Sequence, residues 1–215
     1  MLVWIVCIVF KDFLVRSHAE ALSSLRKKST AIPASPRAKL YIDMLQPNFS
    51  PFPTLITERL LLRQLTPADA EDIFAIRNDT TVNKYLGRAK TTSHEEALQF
   101  IEKINKGIAD NQSVYWVICF KDSLQFAGTI CLWNIDIEKG SAETGYELLP
   151  KFHGMGIMQE ALTALINYGF EVMQLNSITA FTVEANTSSS KLLERNNFKR
   201  VSTEGEEVIY QLDRN

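Results

Sequence analysis

The sequence predicts an α+β domain with a mixed central β-sheet flanked by helices, and three patterns lead to that expectation. Two runs rich in β-branched and aromatic residues, Val114–Phe120 and Phe126–Trp133, flank a turn-forming Lys-Asp-Ser and read as a hairpin. A third run, Ala142–Leu149, is followed by helical spacing over Ile157–Phe170 and a further strand at Ser177–Val183. Strand, loop, helix, strand is a crossover unit, and it brings parallel pairing into an otherwise antiparallel sheet. Glu207–Leu212 supplies a closing strand.

The remaining elements follow in chain order. Pro47, Pro51 and Pro53 deny regular helix or central strand before the domain, so a linker reaching Thr54 is expected, with the fold starting near Leu55. Glu58–Leu65 reads as the first strong strand. Thr66-Pro67-Ala68-Asp69-Ala70-Glu71 offers a cap, a proline for the first helical position and early acidic residues, which predicts a helix to about Arg77. Ala97, Phe100, Ile101 and Ile104 recur three and four apart, placing a second helix over His94–Gly107 with Ser93 and Glu96 at capping-box spacing. Ser188–Arg195 reads as a short last helix.

The 215 residues are 46% hydrophobic and 22% charged, a globular composition that excludes collagen-like, coiled-coil and wholly disordered chains. A net charge of −2 argues against a surface built to hold a nucleic-acid backbone, so no direct nucleic-acid partner is expected. The charges are split: residues 1–43 carry net +4 and the remainder net −6. Residues 1–53 are therefore set apart as an N-terminal extension and linker, and 54–215 as the catalytic domain. The apolar run Met1–Phe10 has about half the ~20 residues a bilayer span needs. Three accounts of the extension stand: a membrane-surface anchor, an accessory helix, or a start assigned upstream of a true one at Met44. Cys7, Cys119 and Cys131 form no close-spaced pair, which suits a reducing, cytoplasmic setting, and His18 and His94 lack partners at ligand spacing, so no metal is expected.

The segment with most chemical content is Leu149-Pro150-Lys151-Phe152-His153-Gly154-Met155-Gly156-Ile157-Met158, which joins a strand end to a helix start. Glycines there let backbone approach an anion, and the first amides of the helix, lacking internal partners, can bind a pyrophosphate at the positive end of the dipole. A plain tight turn is the alternative reading of the two glycines. Neither the dinucleotide fingerprint nor the P-loop pattern is met.

Lys151-Phe152-His153-Gly154-Met155-Gly156 resembles the acetyl-CoA loop of the GNAT superfamily of N-acetyltransferases, with lysine where glutamine or arginine is usual. A second block, Ala185-Asn186 through Ser189 to Asn197-Phe198, is similar to the family's segment after its fifth strand, with Asn197 in place of a glycine. Thr57-Glu58-Arg59-Leu60-Leu61-Leu62-Arg63 and Ala142-Glu143-Thr144-Gly145-Tyr146 look like the RimJ/RimL-type branch, which acetylates ribosomal-protein N-termini. The resemblance spans about residues 54–213.

It implies acetyl-CoA as cosubstrate, no metal, and direct transfer to a primary amine, with a protein α-amine as the first choice of acceptor. A small-molecule amine and a non-catalytic acyl-CoA-binding module are the rivals. It further implies cofactor contacts at Leu148, Lys151, His153, Gly154, Met155, Gly156, Ile157, Met158, Asn186 and Ser189. Many members protonate the leaving thiolate with a tyrosine seven residues after the asparagine; Leu193 stands there, and Ser189 takes the role in the branch resembled. Glu143 is the expected base, with Glu147 on the same face as the alternative. A backbone N–H near Tyr146–Leu148, exposed by a bulge, is expected to hold the carbonyl oxygen. Acceptor choice is placed in the loop Thr80–Thr92, and the protein is expected to be a monomer or homodimer.

Overall fold

Among the described residues eight strands assemble in the order β1-β2-β3-β4-β5-β6-β8-β7, and one parallel pair, β5 with β6, makes the sheet mixed as expected. The structure, a computed structural model, describes residues 47–214; the extension up to residue 46, with Met44, Cys7 and His18, lies outside the described residues. The elements are β1 (Leu55–Ile56), β2 (Leu60–Gln64), α1 (Ala70–Asn78), α2 (His94–Ala109), β3 (Val114–Phe120), β4 (Phe126–Asp136), β5 (Ser141–Leu148), α3 (Ile157–Asn167), β6 (Ser177–Val183), α4 (Thr187–Arg195), β7 (Lys199–Glu204) and β8 (Glu207–Asp213).

Period-2 alternation sends neighbouring side chains of one strand to opposite helical layers. On β3, Tyr115 meets Phe100 of α2 edge-on, whereas Trp116 meets Tyr168 beyond α3, so α1 and α2 cover one face and α3 the other. Tyr146 of β5 reaches Ser189 of α4, which places α4 on the α3 face. Reciprocal amide hydrogen bonds between Gln159 and Asn196, at 2.7 and 3.1 Å, tie α3 to α4.

Several local details differ from expectation. Arg63 forks onto Asp69 at 2.9 and 2.6 Å, and Thr66 donates to the same carboxylate, so the turn after β2 is pinned before α1 begins. Ser93 caps α2 through the Glu96 amide, but the Glu96 carboxylate bonds Thr92 rather than closing a box on Ser93. The helix predicted to Phe170 is regular only to Asn167 and widens into a π turn over Tyr168–Val172. The proline-rich stretch has no helix or strand, yet it packs: Phe49 is buried, and the Pro53 carbonyl accepts from Trp116 Nε1 at 2.6 Å. Prolines prevent regular structure, not burial.

Gly128 lets β4 and β5 approach. A Cβ there would stand 2.1 Å from the Glu147 carbonyl oxygen and 3.0 Å from Leu148 Cα, both backbone atoms. Gly128→Ala should therefore cost about 1–3 kcal/mol, read as a lowered urea midpoint; an unchanged midpoint would show that the strands yield freely.

Candidate active site

The loop from β5 to α3 adopts the conformation its glycines permit. Gly154 and Gly156 have φ of +78° and +73°, the left-handed region that other residues enter at a cost, and Gly156 is the residue before α3. The first bond of the helix runs from Glu160 N to Gly156 O at 3.1 Å, so the amides of Ile157, Met158 and Gln159 precede the internal ladder. A cleft of about 370 Å³ lies over this turn, lined by Leu148, Phe152, Gly154, Gly156, Ile157, Met158, Gln159 and Arg195.

The other predicted loop residues frame that cleft. His153 Nε2 lies 3.0 Å from the Leu148 carbonyl, holding the loop against the strand end. Lys151 is exposed with its ammonium 4.9 Å from the centre of the Phe152 ring, and Met155 is exposed. Asn186 is buried, and its Oδ1 accepts the Ser189 amide at 3.3 Å, which makes it the cap of α4. Asn197 closes that helix at φ +64°, the left-handed conformation for which asparagine is the best substitute for glycine.

A second tether comes from the far end of the domain. Arg59 Nε bonds Glu160 Oε2 at 2.7 Å and Arg59 Nη1 bonds the Met155 carbonyl at 3.0 Å, while Thr57 Oγ1 reaches Glu160 Oε1 at 2.6 Å. Burial pushes the Glu160 carboxyl up, but the hydrogen bonds from Thr57 and Arg59 outweigh it and hold the group below its ordinary range.

Beside the loop the sheet opens. β5 pairs with β6 only over Ser141–Thr144 against Ser177–Ala180; beyond Thr144, Gly145–Leu148 stays with β4 while Phe181–Val183 stays with β8. The expected bulge at Tyr146–Leu148 is absent: the β4–β5 register is continuous there and shifts instead between Trp133 and Asp136. Divergence from β6, not a bulge, exposes that strand edge. Flanking the fork, Thr144 Oγ1 and Thr182 Oγ1 are the two buried side-chain polar atoms among the described residues without a hydrogen-bond partner. Unpaired strand edges and orphan hydroxyls suit an extended ligand bearing amides.

The predicted catalytic groups take opposite faces of the fork. Glu143, on the α1–α2 face, accepts from Asn134 Nδ2 at 2.6 Å; burial raises its pKa, the Asn134 bond opposes this, and Glu207 adds repulsion. Glu147 shares the face but is buried in a two-pronged pair with Arg88, whose Nη1 meets Oε1 and whose Nη2 meets Oε2 at 3.1 Å. Both Glu147 oxygens are thus engaged by a guanidinium, whereas the side-chain partner of Glu143 among the described residues is the neutral Asn134 amide. On the other face Ser189 Oγ lies 3.0 Å from the Tyr146 hydroxyl, both residues fully buried, and burial pushes the Tyr146 phenol up. Leu193 is buried apolar core and contributes no acid.

Arg59, Tyr146, Gln159, Glu160 and Arg195 were not singled out by sequence reasoning. Arg59, Tyr146 and Arg195 lie inside the quoted motifs, but what they meet is distant in sequence: Glu160, Ser189 and the cleft over the β5–α3 turn.

Comparison with known proteins agrees with this geometry. Residues 59–199 match the acetyltransferase (GNAT) domain, and the chain belongs to that family of N-acetyltransferases. It is similar to the uncharacterized N-acetyltransferase YoaA of Bacillus subtilis (strain 168), with 32% identity over 149 residues, 69% of this chain and 84% of that protein. YdaF of the same strain, a candidate ribosomal N-acetyltransferase by its name, is 30% identical over 151 residues, 68% of this chain and 81% of its own length. Among solved structures, the microcin C7 self-immunity acetyltransferase MccE, in complex with acetyl-CoA and AMP, shares the fold at a TM-score of 0.64 and 20% identity, covering 73% of this chain and 93% of that one.

Proposed function

We propose that residues 54–215 form a catalytic domain that uses acetyl-CoA to acetylate a protein N-terminal α-amine. The observation that carries the reading is the fork between β5 and β6, with an anion-binding turn at one end, a carboxylate on one face and two hydroxyls on the other. The name of YdaF supports a ribosomal protein as acceptor. Cys119 and Cys131 are free and buried, which supports a reducing, cytoplasmic setting.

Bound acetyl-CoA supplies an activated acetyl group with a thiol as leaving group. The amides of Ile157, Met158 and Gln159, approached across Gly154 and Gly156, hold the pyrophosphate, and Lys151 and Arg195 add positive charge at the rim. The free edge of Gly145–Leu148 orients the extended arm and presents an N–H to the carbonyl oxygen as charge develops. Glu143 takes the proton of the attacking amine, directly or through an ordered water, and its raised pKa improves it as a base. Ser189 Oγ, backed by the Tyr146 hydroxyl, donates to the departing sulfur. Thr144 and Thr182 supply the remaining donors along the fork.

Incubation with acetyl-CoA and a panel of N-terminal peptides, polyamines and amino sugars, read by mass spectrometry, tests the reading. Acetylated peptides uphold it; products only among polyamines or sugars replace the acceptor, and no product with any acceptor overturns transfer. Ser189→Ala and Tyr146→Phe should each lower kcat about 10-fold by removing one hydrogen bond near the sulfur, with the affinity for acetyl-CoA unchanged. The deficit should shrink with acyl donors whose thiol is more acidic. A deficit independent of the leaving group would assign the pair a structural role.

A further inference from the structure

We infer that Arg77 is the anion-recognising residue of the acceptor subsite, so that the acceptor is a primary amine with a carboxylate close by. This rests on the N-acetyltransferase reading above and narrows its substrate. Arg77 stands near the end of α1, with its guanidinium carbon 4.0 Å from the centre of the Phe100 ring and Nε donating to Thr91 Oγ1 at 3.0 Å. No protein acceptor meets its two terminal nitrogens among the described residues.

Its neighbours cannot supply one. Arg88 is fully engaged, Nε on Asn83 at 2.8 Å and both terminal nitrogens on Glu147, and that pairing consumes the one buried carboxylate nearby. Glu96 faces Arg77 from α2, but its oxygens bond the Thr92 amide and hydroxyl, each at 2.7 Å. The cluster of half-buried Arg77, half-buried Arg88 and buried Glu147 therefore carries one excess positive charge. Burial first, and then the proximity of Arg88, lowers the Arg77 pKa, yet a guanidinium stays protonated and keeps its demand for an anion.

The cluster also stands in the right place. Glu147 belongs to the stretch of β5 that diverges from β6, on the face that carries Glu143, and Phe100 packs edge-on against Tyr115 of the same face at 5.9 Å. A planar fork with both prongs open is the group that binds carboxylate bidentately. The net −6 of residues 44–215 draws in the ammonium of such an acceptor from a distance, while Arg77 acts at contact, inside the ~8 Å over which salt screens little. The carboxylate can be the acidic side chain of a peptide's first residue or the α-carboxylate of a free amino acid; the chemistry is shared.

The test is calorimetric titration of the full chain with CoA present, using two matched pairs: Glu-Ala-amide against Gln-Ala-amide, and alanine against alaninamide. One pair should show the carboxylate member binding at least about tenfold tighter, and that pair names the source. Arg77→Met should erase the preference with acetyl-CoA affinity unchanged, and Arg77→Lys, which keeps charge without the fork, should fall between. Should Arg77→Met fail to fold, the lysine variant alone decides. Equal binding within both pairs, or a preference that survives substitution, overturns the inference. Tight carboxylate binding without acetylation of the bound amine would leave the subsite standing and overturn the transferase reading.

Discussion

Gly154→Asp is expected to weaken acetyl-CoA binding by about 100-fold or more while the domain remains folded. The left-handed φ of +78° makes any side chain pay about 1–2 kcal/mol, less for aspartate, and a Cβ at this position meets no atom within 4 Å. Steric damage is therefore small. The introduced carboxylate would face the amides that receive phosphate, and like charge at such a site costs several kcal/mol, of which each 1.4 is tenfold in affinity. Gly154→Ala separates the two contributions, since it changes backbone preference without charge. Titration with acetyl-CoA and a thermal melt read both. Wild-type affinity in the aspartate variant would remove the loop from the binding site.

Glu143→Gln should lower kcat/KM by about 10²-fold, the ordinary contribution of a positioned base. Stability should move the other way. Burial raises the Glu143 pKa in the folded state, so folding disfavours the ionised form and the penalty is present at neutral pH, above the unfolded value. Glutamine removes that penalty and still offers an oxygen to Asn134. The wild-type pH profile should carry an acid limb at a pKa above the usual carboxylate range, because activity falls as protonation of Glu143 removes the base. Loss of that limb in the variant, with equal or higher melting temperature at pH 7, identifies the base; a retained limb places it elsewhere.

Elements with a strong local signal were legible in the sequence: Val114–Phe120 has the bounds read from its β-branched and aromatic composition, and the crossover through α3 gives the parallel pair. β7 was invisible because Lys199–Glu204 is exposed throughout and carries one apolar residue, Val201, too little for an alternating pattern; it is an edge strand whose ladder runs to β8 alone among the described residues. The loop of the candidate site was legible because its chemistry is backbone chemistry, encoded by Gly154 and Gly156 at a strand end. Pairs joined across the fold were not. Arg88 and Glu147 are 59 residues apart and Arg59 and Glu160 are 101 apart, and no local pattern in either segment specifies its partner. The same holds for Tyr146, read as part of a strand, whose hydroxyl meets Ser189 only because α4 crosses that face.

Four register pairs, Ser141–Thr144 against Ser177–Ala180, are the only strand pairing among the described residues that joins β1–β5 to the plate formed by β6, β8 and β7. The sheet is in effect a page cut partway across, and the lips of the cut are main chain with hydrogen-bonding capacity to spare. A ligand seated there acts as a temporary ninth strand, completing ladders that the polypeptide leaves open. Its binding free energy then appears as mechanical coherence between the two plates, so amide-exchange protection should rise along Gly145–Leu148 and Phe181–Val183 together, in proportion to ligand occupancy.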